Sequence, residues 1–448
     1  MLVPIRKFTS GLYSEHLASI GFLLDLRQAY FCAGDVPWTK VAELDARIEA
    51  HRDALELGGP DAIDHAVQLL ASDDTDALRG AVYHLAWIGP KAAGHKEMIA
   101  AWMGAVEDRL AAYGQALRYA AQAHREIDVG VALKSVDPLL LEAALKVSRF
   151  LDDVKAEKVL PLCSHEAVAV RRAAVELVAL KGAIPLLPAL ERAVWDESKS
   201  VDESNSFWLL ALGSARALNA AREACRGGGT IAPHWLMCLA YAGSAADLPL
   251  FARAVGNPAS RLAALRACGG FGHIELVQVL IAALAATNES ERVTAATALE
   301  IITAAGLTEQ AARALTTEVA SADVVGTADG STKVAEDVVE FTRVCTVQGE
   351  WAAWWNANLS RFGASPRWRR GKPATLGVFI EQLAEPSSSD ELRRMNQLEL
   401  VVRSGMSIDC ACDGPVAEQL VAIGKWQQWW KKVQAEHAND YWLLAGRA

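Results

Sequence analysis

The sequence predicts an all-α fold, a right-handed solenoid of stacked antiparallel helix pairs. Three observations predict it. Hydrophobic residues make up 52% of the chain but aromatics only 7%, a composition of many small-knobbed helices rather than sheets. A helix-forming pattern recurs along the chain. Each copy closes on glycine, the residue that most readily takes the left-handed conformation ending a helix.

In chain order, residues 1–58 are expected to form an N-terminal helical cap. His16 to Phe31 reads as one amphipathic helix, and Val41 to Leu57, after Pro37, as a second, charged one. A solenoid end needs such a cap to cover its first repeat. Residues 59–319 carry the repeats. Copies begin near Ser72, Ser164, Gly256 and Thr287, each with a polar opening such as Ser164 or Asn288 that can cap a helix. An arginine follows at Arg79, Arg171, Arg261 or Arg292, then small residues and an apolar stripe. In the second copy Val170, Ala174, Leu177 and Val178 fall three and four apart and share one face. The closing glycines Gly182, Gly213, Gly243, Gly272 and Gly306 are 31, 30, 29 and 34 residues apart. A single pair cannot bury its apolar face, so neighbours must stack.

Residues 320–350 break the pattern. Six acids face two cations there, and Val324 to Thr332 is turn-rich, as in an acidic linker or insertion. Trp195 to Ser206 reads as an acidic loop between helices. Residues 351–448 are expected to be a C-terminal helical segment with Trp-rich helices and a further repeat, Leu376 to Gly405.

Charge and cysteines bound the function. Asp plus Glu number 54 against 44 Lys plus Arg, a net charge of −10. A surface built to grip nucleic acid leans the other way, so nucleic acid is not the expected partner. The most apolar run, Leu276 to Ala286, is about half a bilayer span. No secretory leader pattern opens the sequence, and the eight cysteines are scattered. The expectation is a cytoplasmic protein with reduced, mostly buried thiols and no membrane partner.

The repeat pattern resembles HEAT repeats in their short form, the form found in bilin lyases. Trp351-Ala-Ala-Trp-Trp-Asn-Ala-Asn-Leu-Ser-Arg-Phe362, Pro366-Arg-Trp-Arg-Arg-Gly-Lys-Pro373 and His51-Arg-Asp-Ala-Leu-Glu-Leu-Gly-Gly59 add a second likeness. With them the chain resembles an uncharacterised bacterial family of HEAT-repeat proteins often encoded near type VI secretion genes. It departs from that family in the basic loop at Trp368-Arg-Arg. The resemblance implies a protein partner, such as a secreted effector or a spike component, with the chain as adaptor, chaperone or immunity factor.

Two clusters are candidate partner-binding residues. Trp351, Trp354 and Trp355 share one helical face, and the spacing repeats at Trp426, Trp429 and Trp430. Such stripes either plug a groove between helices or form a docking surface, where Trp is a frequent anchor. Arg361, Arg367, Arg369, Arg370 and Lys372 place five cations around Trp368 with no acid among them. They read either as a loop paired with acidic edges such as Asp196 and Glu197 or as an anion contact. Asp409-Cys-Ala-Cys-Asp413 has two thiols but no second pair or neighbouring histidine to complete a metal set, so no metal or other cofactor is expected. The sequence contains no phosphate-binding loop, dinucleotide fingerprint or nucleophile elbow, and no catalytic residue is assigned.

The leading expectation is a non-catalytic, protein-binding scaffold. The alternatives are a HEAT-like enzyme, acting on DNA as a glycosylase or on a small ligand as a lyase, and a structural oligomer. The assigned register makes one prediction. Ala174→Leu and Ala264→Leu should each overpack a close helix contact and cost about 1–3 kcal/mol in chemical denaturation; two neutral substitutions would show the register to be wrong.

Overall fold

The computed structural model describes residues 2–33, 36–124, 126–195, 205–227, 229–314, 338–363, 367–437 and 441–447. The fold is mostly helical, with twenty α-helices among the described residues. The first five are α1 (Leu2–Ala33), α2 (Ala42–Leu69), α3 (Thr75–Trp87), α4 (Ala93–Met103) and α5 (Glu107–His124). Next come α6 (Pro138–Ser148), α7 (Ala156–Val159), α8 (Val168–Leu180), α9 (Leu187–Val194), α10 (Ser206–Ala211), α11 (Ala215–Arg226) and α12 (Pro233–Ala242). Then follow α13 (Leu248–Gly256), α14 (Arg261–Phe271), α15 (Leu276–Ala283), α16 (Glu289–Thr303) and α17 (Gln348–Asn358). The last are α18 (Leu376–Ala384), α19 (Asp390–Ser404) and α20 (Val416–His437). Among the described residues no helix is long and apolar enough to cross a membrane.

The chain divides into two compact units. One comprises Met1–Gly228, His234–Asp247 and Ala374–Ala448; the other comprises Gly229–Pro233 and Leu248–Pro373. The segment expected as one C-terminal piece, 351–448, is therefore shared between them at Pro373.

In the first unit α1 packs on α3, α3 on α5, α5 on α6, α6 on α8 and α8 on α10. The apolar stripe of α8 is internal: Val170, Ala174, Leu177 and Val178 are all buried. The recurring arginine has a local cause. Arg171 Nη1 donates to the carbonyls of His165 and Glu166 at 2.9 Å. Arg292 Nη1 does the same to Ala286 and Thr287 at 3.0 and 2.9 Å, and Arg261 Nε reaches Val255 O at 2.9 Å. Each ties carbonyls five or six residues back, at the end of the preceding segment, where backbone acceptors lack helical partners. Arg79 instead pairs with Asp76 at 2.8 Å.

The expected caps are met in part. Asn288 accepts from Ser290 N at 2.9 Å, but Ser164 lies in the preceding 3-10 turn and Ala167 holds the N-cap position of α8 without a side-chain bond. Gly182, Gly213, Gly272 and Gly306 have positive φ. Gly243 does not, and a Cβ there would meet Leu239 O at 2.5 Å. At the N-terminal side α1 starts at Leu2 and α2 runs to Leu69 across a kink at Gly59 (φ 52°, ψ −135°) before Pro60.

The C-terminal residues of this unit return to its first helices. Arg27 is buried; its Nε lies 2.6 Å from Asp45 Oδ1, and its other nitrogens donate to the carbonyls of Asp413 and Gly414. The second Asp45 oxygen accepts from Val416 N at 2.7 Å, so a side chain from α2 caps the start of α20. Tyr119 of α5 donates to the same carboxylate at 3.0 Å. Nearby, the Arg393 guanidinium stacks 3.7 Å from the Trp38 ring centroid, and Trp38 Nε1 donates to Glu385 O at 3.0 Å.

In the second unit α13 packs on α14 and α14 on α16. Within the mostly helical fold, two short antiparallel strand pairs lie among the helices of this unit. β1 (Thr308–Ala314) pairs antiparallel with β2 (Val338–Val344), from Thr308 opposite Val344 to Ala314 opposite Val338. The span 320–350 is thus not all linker: β-branched and aromatic residues from Val338 to Val344 suit a strand, and α17 begins at Gln348. Its turn-rich part, 320–337, lies outside the described residues, as does the acidic loop 196–204 with Asp196 and Glu197. The second hairpin is β3 (Trp368–Arg369) with β4 (Lys372–Pro373).

Removing one partner of the Arg27–Asp45 pair leaves the other buried and uncompensated. Arg27→Ala should cost about 3–5 kcal/mol. The double variant Arg27→Ala, Asp45→Ala should cost at least ~1 kcal/mol less than the sum of the singles, read from chemical-denaturation midpoints. Additive losses would mean that the two groups do not interact.

Candidate functional site

A groove in the first unit collects the polar side chains most able to meet a ligand. One wall comes from three neighbouring helices. α5 presents Ala111, Gly114, Gln115 and Arg118; α6 presents Leu139, Glu142, Ala143 and Lys146; α8 presents Ala173, Glu176 and Leu177. Each set follows the three-and-four spacing that puts residues on one helix face. The facing wall is Arg394, Gln397 and Leu398 of α19 with the loop from Cys410 to Asp413. Phe150 and Trp208 complete the apolar floor. The inner part holds about 320 Å³ and the adjoining part about 620 Å³, and both are lined by Arg118, Lys146, Arg394 and Asp413.

Charges along the groove are interleaved. Arg149 makes a two-pronged bond to Asp409, Nε–Oδ2 2.6 Å and Nη2–Oδ1 2.5 Å, and reaches Glu176 at 3.1 Å. Lys146 lies 2.6 Å from Glu142. Asp413 pairs with Arg118 and lies 3.6 Å from Arg394 Nη2. Arg394 also holds Asp390, at 2.6 Å. Burial alone would raise the Asp413 carboxyl, but Arg118, Arg394, Arg149 and Arg27 outweigh it and hold the group below its ordinary value. Burial raises Glu176 above its ordinary value, with Arg149 pulling the other way. The arrangement can bind anionic groups beside apolar ones.

The two cysteines between these acids face inward. Cys410 and Cys412 are buried, and Cys412 Sγ lies 3.6 Å from Cys410 O. The flanking acids are taken by Arg149 and Arg118, and among the described residues no group of three His, Cys, Asp or Glu is placed to hold a metal ion. The loop's role is to present Asp409 and Asp413 to the helical wall.

The residues expected at a docking surface lie in the second unit, and five of the nine are internal. Trp351, Trp355, Arg367, Trp368 and Arg369 are buried. Trp351 Nε1 donates to Cys345 O at 2.6 Å. Phe362 packs between Trp355, tilted against it with centroids 5.1 Å apart, and Trp368, edge-on at 4.7 Å. The basic loop serves as a cap for two helix ends. Arg367 Nε donates to Phe271 O and Arg369 Nη2 to Gly270 O, both at 2.8 Å, at the end of α14. The backbone amides of Arg370 and Gly371 donate to Ile301 O and Ile302 O in the last turn of α16, at 2.6 and 2.9 Å. Cations and free amides belong at helix C-termini, where carbonyls lack partners. Gly272, at φ 69°, lets the loop close in: a Cβ would meet Trp368 O at 2.5 Å. Trp354 is half-buried, while Arg361, Arg370 and Lys372 are exposed; Arg370 pairs with Glu300 at 2.6 Å. Of the second trio, Trp426 is buried and Trp429 and Trp430 are half-buried.

The groove residues were not found from the sequence. The available signal was the repeated cation at the end of a small-residue stripe, Arg118 after Ala111 and Gly114, and Lys146 after Leu139 and Ala143. The segment Asp409 to Asp413 drew notice for its thiols, whereas its carboxylates meet the groove.

The pH behaviour follows from Asp413. Its folded-state pKa lies below the ordinary 3.8, so its contribution to stability is present above about pH 4 and is lost as the pH falls through the folded value. Asp413→Asn should cost about 2 kcal/mol at pH 6, and the difference from the native protein should shrink as denaturation is repeated towards pH 3. A difference that grows on acidification would contradict the assignment. In comparisons with known proteins, no protein-family model matches this chain and no curated protein matches it.

Proposed function

We propose that the protein is a non-catalytic scaffold that binds another protein in the groove of its first unit. The observation that carries this reading is the pair of facing walls. Three helices present stripes of small and apolar residues opposite α19 and the Cys410–Asp413 loop, with charged pairs along the rim. An apolar floor with a polar rim is the anatomy of a protein interface. Its carboxylates sit against arginines or lysines, an arrangement suited to holding charge in place.

The layer α1, α3, α5, α6, α8, α10 and the left-handed glycines support reading the repeats as a right-handed HEAT-like solenoid, in which stacked helices build extended binding surfaces. By the sequence resemblance, the partner is a secreted effector or a spike component of a type VI system, and the protein acts as its adaptor, chaperone or immunity factor in the cytoplasm.

The test is blockade of the groove. Ala143→Trp fills it from α6. Tagged native and variant proteins are purified from the native host, with helical circular dichroism as the folding control. A specific co-purifying protein should fall at least tenfold with the variant. Recovery of the same partner at the same yield would overturn the groove as the binding site. Salt-titrated DNA binding tests the enzyme alternative, and affinity that falls steeply with salt would favour it.

A further inference from the structure

We propose, resting on the reading of the groove as a protein-docking site, that its occupant is an acidic, extended polypeptide segment of the partner. The argument is the depth at which each charge sits. In three of the groove's ion pairs Lys146 is 60% exposed, Arg394 46% and Arg118 39%, whereas their partners Glu142, Asp390 and Asp413 are 22%, 19% and 12% exposed; deeper along the groove Arg149, 25% exposed, lies between Asp409 and Glu176. The carboxylates lie low and orient the cations, and the cations form the surface that a ligand meets. In these three pairs the outermost charges are cations, in a chain of net charge −10. Lysine and arginine nitrogens already bonded on one side keep further N–H donors for a second carboxylate.

The floor argues for a polypeptide over a nucleic acid. Leu110, Leu139, Leu145, Phe150, Leu177 and Trp208 line it, so an occupant gains by alternating acidic and apolar groups. An extended peptide has that alternation, its successive side chains pointing to opposite sides. Three helices at the usual 8–10 Å spacing span about 20 Å, the length of about six extended residues. Nucleic-acid phosphates would gain nothing from the apolar floor. The acidic chain as a whole would also repel a long polyanion.

The probe is a short fluorescein-labelled peptide of alternating Glu and Leu, with an alternating Lys and Leu peptide as control, measured by fluorescence anisotropy on the full chain. The Glu–Leu peptide should bind at low salt, weaken as salt rises, and bind at least tenfold more tightly than the Lys–Leu peptide. Lys146→Glu should weaken it at least fivefold; adding Arg394→Glu should abolish it. Both positions are solvent-facing, and circular dichroism checks the fold. Equal or tighter binding of the Lys–Leu peptide would overturn the proposal, as would unchanged affinity in Lys146→Glu. So would tighter binding of a single-stranded oligonucleotide that displaces the peptide. If the host partner is still lost in Ala143→Trp, the charge assignment alone falls. If that variant keeps its partner, the docking reading falls with it.

Discussion

The first unit depends on one buried carboxylate. Asp45 accepts from Arg27 of α1, from Tyr119 of α5 and from the first amide of α20. Arg27 in turn spends its remaining donors on carbonyls at Asp413 and Gly414. Residues nearly 400 positions apart in the chain are thus held by a single satisfied network. Taking both charges out of water is costly, and the network compensates because nearly every lone pair and proton has a partner. The consequence is geometric: the loop carrying Asp409 and Asp413 is held at Asp413 and Gly414 by this network and at Asp409 by Arg149, and one wall of the groove is held with it.

The second unit solves a different problem with the same physics. Helices that stack side by side leave their last carbonyls unpaired at one edge. At Arg171, Arg261 and Arg292 an arginine from the following helix supplies the donors. At α14 and α16 the donors come from the basic hairpin at Arg367 to Gly371, with two guanidinium groups and two backbone amides aimed at the helix ends. The cluster that looks like a ligand site by composition is part of the structure because its charges complement the negative ends of two helix dipoles. Its exposed remainder, Arg361, Arg370 and Lys372, lies at the surface of the same unit.

The groove owes its polarity to the same separation of roles. Half-buried carboxylates set the orientation of cations that reach towards solvent. In water such pairs contribute little to stability. With the acids partly desolvated they become rigid fixtures, able to present donors without the entropic cost of ordering long side chains on binding. A surface of this kind gives specificity more than raw affinity.

The sequence by itself determined the helical class and the burial of apolar positions such as Val170, Ala174, Leu177 and Val178. These follow from local rules: a three-and-four apolar period, glycines at φ near 70° such as Gly182, Gly272 and Gly306, and a cap such as Asn288. It also held the recurring arginine, although not its role, because a bond to a carbonyl five or six residues back exists only once the preceding segment has ended. The tertiary structure decided the rest. Neither the burial of Arg367 and Arg369 nor the exposure of Lys146 can be read from residue type, since both depend on which helix end or wall lies opposite. Arg118, Lys146 and Arg394 form one groove because α20 and its preceding loop return to the first helices. That return is fixed by Arg27 and Asp45, and a pairing between such distant positions leaves no periodic signal in the chain.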